Sequence, residues 1–543
     1  MLDTPGPGSG GVGRIAQASW LKDTLIKVSE QATGANLVGL LGVAFALFCL
    51  LGLQGANYWN IRLPLYLIVV VWIPLRPVAA LYLLPIAVPW GSLDTINLGG
   101  LSLNSADILV ILLAASWLMS FTLRPLIEQR SSGGPLDREG FNIPPYLALA
   151  MIVLLFTMML STTVTTSMTL SLKEIVKWLE VLIVLFVGAQ YIRNPRQVWT
   201  IVTIMFLAAI SQAVMGYVQY FFNIGPQSFI RDASLRVYGT FAQPNPYAGY
   251  INMTLMVAIA LMLLGGNWKT RILAGLTTVV LAPLVVAPIW LTQSKGGFVA
   301  FSVAIIFVVT VGFPRLRKLI AIGGVAALGA IGAYCAGVIP DHYLEPLMRI
   351  LGLTNISLAA PSTQDFATAE RIAHWIAGIR MFVSHPFLGV GIGNYPAAYH
   401  DYFVTIFTND LGHAHNYYIN TAAEAGLFGL VALLLFLLAM FVAGGRSFRA
   451  ISKLQQQIKK QRTMPEAGTT ALEADKRFSL LGTVTNYRAL AIGLLASLLA
   501  VCIHNLVDDL YVHSMASLFS LLLVLLIRLE DVTTHEVNNM EVV

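Results

Sequence analysis

Ionisable side chains are sparse in this 543-residue chain, so their positions carry information. The densest run is His413-Ala-His415-Asn416-Tyr-Tyr-Ile-Asn-Thr-Ala-Ala-Glu424-Ala-Gly426, with two imidazoles, an amide and a carboxylate opening a long apolar segment. Such groups are costly beside hydrocarbon and mark sites of function wherever the surroundings are membrane. Three cations stand in comparable places. Arg236 precedes Tyr238-Gly-Thr-Phe-Ala-Gln243-Pro244-Asn245-Pro246; Lys295 lies in Thr292-Gln-Ser294-Lys295-Gly296-Gly297; Arg371 lies in a long polar stretch. A guanidinium fork matches phosphate oxygens, and a lysine beside the open backbone N–H groups of a glycine-led helix start makes an anion site.

The elements that must position these groups are membrane helices. Hydrophobic residues make up 57% of the chain and charged residues 11%, with mean hydropathy +0.74, outside the range of soluble domains. Apolar runs long enough to cross a hydrocarbon core of ~30 Å recur near 37–53, 61–75, 77–90, 106–123, 144–161, 173–192, 197–221, 246–265, 271–291, 296–313, 318–339, 416–444, 487–504 and 510–529. The chain is therefore expected to be all-α and polytopic, with about 12–14 transmembrane helices and one large extracytoplasmic loop. Alternating the spans puts most of the 33 Lys and Arg on one side, which makes that side and both termini cytoplasmic. The pI near 9.1 then reports topology and contact with anionic headgroups, not nucleic-acid binding. Cys49, Cys335 and Cys502 all fall in apolar runs and suggest neither a disulfide framework nor a thiolate metal site. The first 30 residues lack the apolar core of a signal peptide.

Four outward segments follow from this topology. In 223–245, Arg231 reads as a solvated residue, while Arg236 reads either the same way or as part of a polar pocket with Tyr238, Gln243 and Asn245. Pro244 and Pro246 delay the next span to about Tyr247. The second segment is the Lys295 turn, where the lysine either snorkels to the interface or joins the open N–H groups of Gly296 and Gly297 in an anion site. The third, 340–415, holds six of nine histidines and an amphipathic helix over 366–384. Its apolar face carries Ile372, Trp375, Ile376, Ile379, Phe382 and Val383, with Arg371 at the edge and His374 beyond; such a helix lies on the membrane surface. Gly389-Val-Gly391-Ile-Gly393 follows a helix rather than a strand, so it reads as a tight turn and not as a dinucleotide fingerprint. The fourth, 504–513, carries Asp508 and Asp509, either as a solvated turn or to orient a histidine or arginine. No metal is expected: His413 and His415 are two apart, off a common helix face, and no H-E-x-x-H pattern occurs. On the inner side, 124–142 and 445–488 read as solvated basic linkers, and Glu174, Lys177 and Glu180 are spaced to pair with one another.

These motifs together resemble the O-antigen ligase and polymerase superfamily of bacterial envelope glycosyltransferases. The resemblance runs through Arg236 to Gly249, Ser294-Lys295-Gly296, Arg371-x-x-x-Trp375, Pro386-x-x-Gly389-x-Gly391, and His415-Asn416 to Glu424-x-Gly426-x-x-Gly429. It implies a multi-pass protein of the bacterial inner membrane with its site on the extracytoplasmic face. It implies transfer of a glycan from an undecaprenyl-diphosphate carrier to a lipid A core or a second lipid-linked glycan, with inversion and without metal or cofactor. One position departs from the pattern: Lys295 stands where the family commonly has Arg, keeping the charge and losing the bidentate fork.

The chemistry fits those residues. Displacing a diphosphate from an anomeric carbon builds negative charge, which preorganised Arg236, Lys295 and Arg371 can stabilise. An imidazole near neutrality can accept the acceptor hydroxyl's proton, and His415 is the candidate, either for that or for placing the diphosphate. Asn416 is expected to orient acceptor or backbone; Gln243, Asn245, Tyr238, His374 and Asp508 complete the expected substrate contacts. The rival reading is a transporter of a small anion such as bicarbonate, which would call for midplane polar groups and internal repeats. The expected organisation is a tail at 1–36, an amino-terminal bundle at 37–222, a core at 223–445, a basic loop at 446–486, a helical hairpin at 487–529 and a tail at 530–543.

Overall fold

A computed structural model describes residues 69–542 except 71–72, 74–75, 92, 94, 99–100, 129–141, 232–233, 287–290, 339, 341–356, 362–365, 405 and 464–470. The apolar runs expected at 37–53 and 61–75 lie largely or wholly outside the described residues. Each of the other twelve falls on a helix: α1 Val78–Gly91, α2 Ser105–Glu128, α3 Pro145–Ser161, α4 Met168–Tyr191, α5 Pro195–Phe222, α6 Pro244–Leu264, α7 Trp268–Val286, α8 Lys295–Gly312, α9 Arg317–Cys335, α12 Tyr417–Thr463, α13 Ala471–His504 and α14 Met515–Val542. Between α9 and α12 come α10, Phe366–Ser384, and the single turn α11, Tyr395–Ala398. The only strands among the described residues are two short antiparallel pairs, Thr95–Leu98 with Leu101–Asn104 and Ile230–Arg231 with Ser234–Leu235. Eight of these helices are long and apolar enough to cross a membrane. The chain is an all-α polytopic membrane protein.

Helices α6 and α13 pack on each other and are buried over most of their lengths, with α7 and α8 flanking them and α12 joining α13 on the other side. The sequence explains where these elements start. Asn194 and Gln197 form a reciprocal cap for α5, Ser294 Oγ accepts the Gly297 N–H at the start of α8, and Asn416 Oδ1 accepts the N–H groups of Tyr418 and Ile419 (3.0 Å each) at the start of α12. Helix α6 begins at Pro244 rather than the expected Tyr247, because proline in a first turn loses no hydrogen bond.

The 445–488 segment departs from the expected solvated linker. Helix α12 continues to Thr463 and α13 starts at Ala471, and Ile451, Ile458, Leu480 and Val484 are buried along this extension. Glu174 and Lys177 pair as expected (2.7 Å), whereas Glu180 receives a hydrogen bond from Ser517 Oγ (3.3 Å).

Candidate functional site

The amide side chains of α5 shape the first wall. Gln219 Oε1 accepts the N–H groups of Tyr238 and Gly239, and its Nε2 donates to the Gly239 carbonyl (2.6 Å). Gln212 Oε1 accepts the Thr240 N–H (3.2 Å). The two glutamines lie seven apart on one face of an otherwise apolar helix, a signal that the sequence carries and that marks a buried polar turn. That turn delivers Arg236, whose Nε donates to the Thr292 carbonyl (3.1 Å) and whose Nη2 donates to Asn245 Oδ1 (3.2 Å).

From Asn245 the network continues across the site. Asn245 Nδ2 donates to Asp508 Oδ2 (2.6 Å), and Asp508 Oδ1 lies 3.4 Å from His415 Nδ1. Three stretches distant in sequence thus converge in one line: the Arg236 turn running into the start of α6, the 504–513 turn, and the residues that lead into α12. His415 holds a left-handed backbone (φ +51°) and is pinned at both ends of its peptide. Trp375 Nε1 donates to its carbonyl (3.1 Å), and its own N–H donates to His413 Nδ1 (3.0 Å). Burial raises the Asp508 carboxyl. The hydrogen bond and charge of His415 outweigh this, with Arg371 and His413 adding to them, and hold it well below the usual carboxylate range. Asp508 is therefore an anion at neutral pH, suited to orienting an imidazole.

Arg371 projects from α10 within electrostatic range of Asp508, and its Nε is buried with no hydrogen-bond partner among the described residues. A buried unmet donor is costly, so this guanidinium has capacity for an anionic ligand. Lys295 is exposed at the first position of α8. Its helix start abuts the 504–508 turn: a side chain on Gly296 would come within 2.8 Å of His504 Cδ2 and 2.6 Å of Val507 Cγ2. His504 is itself buried with Nδ1 unpartnered among the described residues.

Other expected site residues take different places. Asn416 caps α12 and ties it to the Leu506 carbonyl (2.8 Å), so it orients backbone. Tyr238 packs on Phe229 (5.3 Å between ring centroids), and Gln243 is exposed at the start of α6. His374 is fully buried, stacked on Tyr399 (4.6 Å, 13°) and edge-on to His415 (5.7 Å). It buttresses His415 from behind. The buried face of α10 joins the small residues Ala369, Ala373, Ala377 and Gly378 to His374 and Met381, while Ile379 and Val383 look outward.

The Gly and Glu motifs serve to cross two backbones. Helix α12 is interrupted at Gly426 (φ +64°, ψ −161°), and the 386–391 turn lies on the break. Val390 and Gly391 donate to the Ala423 and Glu424 carbonyls (2.9 and 3.0 Å), and Leu427 donates to Pro386 (2.7 Å). Glu424 Oε1 accepts the Tyr395 N–H (3.0 Å). Asn394, which sequence reasoning missed, is buried and bonds Ser167 and Ser171 at the start of α4.

A family model described as O-antigen ligase matches residues 284–434, the stretch carrying Lys295, Arg371, His415 and Glu424. Over this segment the chain is similar to the O-antigen ligases. No curated protein matches the chain. Arg236, Asn245 and Asp508 lie outside the matched O-antigen ligase segment, yet they hydrogen-bond in series and close on His415 within it. Of metal-ligating side chains, His413, His415 and Asp508 hold donor atoms within 4.8 Å of one another, a grouping not evident from the sequence because Asp508 arrives from another element. In this geometry His413 Nδ1 and His415 Nδ1 are both engaged internally.

Proposed function

We propose that the protein transfers an oligo- or polysaccharide from an undecaprenyl-diphosphate carrier to an acceptor hydroxyl on the extracytoplasmic face of the bacterial inner membrane. The observation that supports this reading is the line Arg236–Asn245–Asp508–His415, flanked by the Arg371 guanidinium with its buried, unpartnered Nε among the described residues. In this reaction Asp508 fixes the His415 imidazole by its Nδ1 edge, and the Nε2 edge takes the proton of the acceptor hydroxyl. The acceptor oxygen attacks the anomeric carbon, the bond from that carbon to the diphosphate oxygen breaks, and the electron pair leaves with the diphosphate. Arg371 and Lys295 meet the charge that develops there; Arg236 keeps Asn245 and Asp508 in register and adds positive potential. Direct attack gives inversion. The acceptor is a lipid A core or a second lipid-linked glycan.

Transport of a small anion fits less well. The buried ionisable groups on α2 and α4 facing α14 are the acids Asp107 and Glu180, held by Ser514 and Ser517, and paired acids repel an anion on its way through.

The test is transfer of a labelled glycan in proteoliposomes, with and without EDTA. Arg371→Ala and His415→Ala are expected to abolish transfer, and Asp508→Asn to lower it on the order of 10²-fold with little change in KM, as for a lost orienting group. Unchanged transfer in Arg371→Ala and His415→Ala sinks the site. Loss of activity with EDTA, restored by a divalent cation, would instead make His413, His415 and Asp508 a metal centre.

A further inference from the structure

Far from His415 along the same helix, a cleft of about 600 Å³ opens between the extended end of α12 and the carboxy-terminal half of α14. Arg446, Arg449, Lys453 and Leu454 line it from α12, and Glu530 and Thr534 from α14. The three cations follow at spacings of three and four, so they share one helix face. Two of them are held rather than free to wander: the Arg446 guanidinium sits 4.8 Å over the Tyr146 ring, and Arg449 Nε donates to the Gly445 carbonyl (3.0 Å). Among the described residues none of the three has an ion-pair partner. Glu530 is the one acid among the residues lining the cleft, so positive charge dominates.

The depth of the cleft identifies what it meets. The apolar run of α12 stops at Gly444-Gly445 and that of α14 at Ile527. From Leu427, just past the break at Gly426, to Arg446 the helical rise is about 29 Å, close to the ~30 Å of the hydrocarbon core. The cleft therefore lies at headgroup level, on the membrane face opposite His415, where Leu454 offers an apolar contact next to the cations.

We propose that this cleft binds the phosphate of an anionic phospholipid headgroup in the leaflet opposite the His415 site. A phosphodiester fits three donors on one helix face, and acyl chains run down the exposed apolar surface of α12, where Leu434, Leu435 and Leu438 face outward. Zwitterionic lipids carry their own compensating ammonium and gain less from the field. The site is independent of the transfer reaction.

Lipid retention by the full-length protein, measured by native mass spectrometry against phosphatidylglycerol, phosphatidylcholine and inorganic phosphate, tests this. Phosphatidylglycerol is expected to be held about tenfold more tightly than phosphatidylcholine, and Arg449→Gln with Lys453→Gln to remove that preference. Lys459→Gln with Lys460→Gln, farther along the helix, is expected to leave it unchanged. Glu530→Gln, a gain-of-binding variant that misfolding cannot mimic, is expected to tighten binding about two- to fivefold. Equal retention of both lipids, equal loss in the Lys459/Lys460 variant, or capture of inorganic phosphate without lipid overturns the proposal.

Discussion

His374 shows how one buried imidazole sets a pH dependence. Its Nδ1 lies 3.0 Å from the Tyr395 hydroxyl, which also reaches the His374 carbonyl (3.0 Å), and its Nε2 faces the Tyr399 hydroxyl (3.5 Å). Burial first, then the imidazoles of His415 and His413, hold its pKa down to about 4, against an ordinary 6.5. As pH falls through 6.5 the unfolded chain takes up this proton and the folded chain does not, so stability is full above 6.5 and drains away between 6.5 and about 4. His413 is lowered by burial and by His415 and acts in the same direction. Asp508, held below its ordinary 3.8, adds a loss only below that value. The thermal midpoint in detergent is expected to fall on acidification from pH 7 to about 5, and the fall to be shallower in His374→Gln, although that variant starts less stable. An unchanged slope would move the effect to another group. The sequence offered His374 as a substrate contact because an amphipathic pattern does not tell which edge a neighbour covers. Its partners Tyr395 and Tyr399 come from a turn whose path no local pattern specifies.

Helices were legible element by element because a span of hydrocarbon imposes an apolar run of fixed length. Helix α10 was read at 366–384, as observed. Misreadings occurred where polarity and structure part company. The basic 446–463 stretch looked like a linker, yet Ile451, Leu454 and Ile458 recur at helical spacing and two of them are buried. The Thr95–Asn104 hairpin was likewise signalled only by Gly99-Gly100 between short apolar runs. The crossing of the 386–391 turn on α12 is the element-scale feature on which the site most depends, since it sets the direction of the helix that His415 leads into. At Gly426 the backbone occupies a region open to glycine alone, and a side chain there would run into the Phe387 carbonyl; at Gly389 one would run into Glu424. Gly426→Ala is expected to cost about 1–3 kcal/mol in backbone strain alone, with further loss from separating the chains. The expected readout is a lower thermal midpoint, accompanied by loss of transfer even in the folded fraction. A variant with wild-type stability and transfer would show that the break is dispensable.

At the scale of the whole molecule, charge asymmetry and the site make a joint demand. The line from Arg236 to His415 gathers at one end of the bundle, and Arg446, Arg449, Lys453, Lys459 and Lys460 extend from the other end of the same helix. Translocated loops are poor in Lys and Arg, so the basic end is expected in the cytoplasm and His415 outside. A reaction drawing on a lipid carrier whose glycan faces outward requires that orientation, and a cytoplasmic site would expose it to nucleotide sugars instead. Single cysteines decide this. His400 and Gln457 are both exposed, and in a chain cleared of Cys49, Cys335 and Cys502 each can be replaced by cysteine without touching the site. A membrane-impermeant maleimide applied to intact spheroplasts is expected to label the His400→Cys variant, and the Gln457→Cys variant only after permeabilisation. The reverse pattern would put the site in the cytoplasm and end the lipid-linked reading while leaving the fold untouched. Labelling of both without permeabilisation would break the alternation of spans. The parity of crossings ahead of α1 matters here: an even number leaves the sidedness of every later loop unchanged, whereas an odd number inverts it.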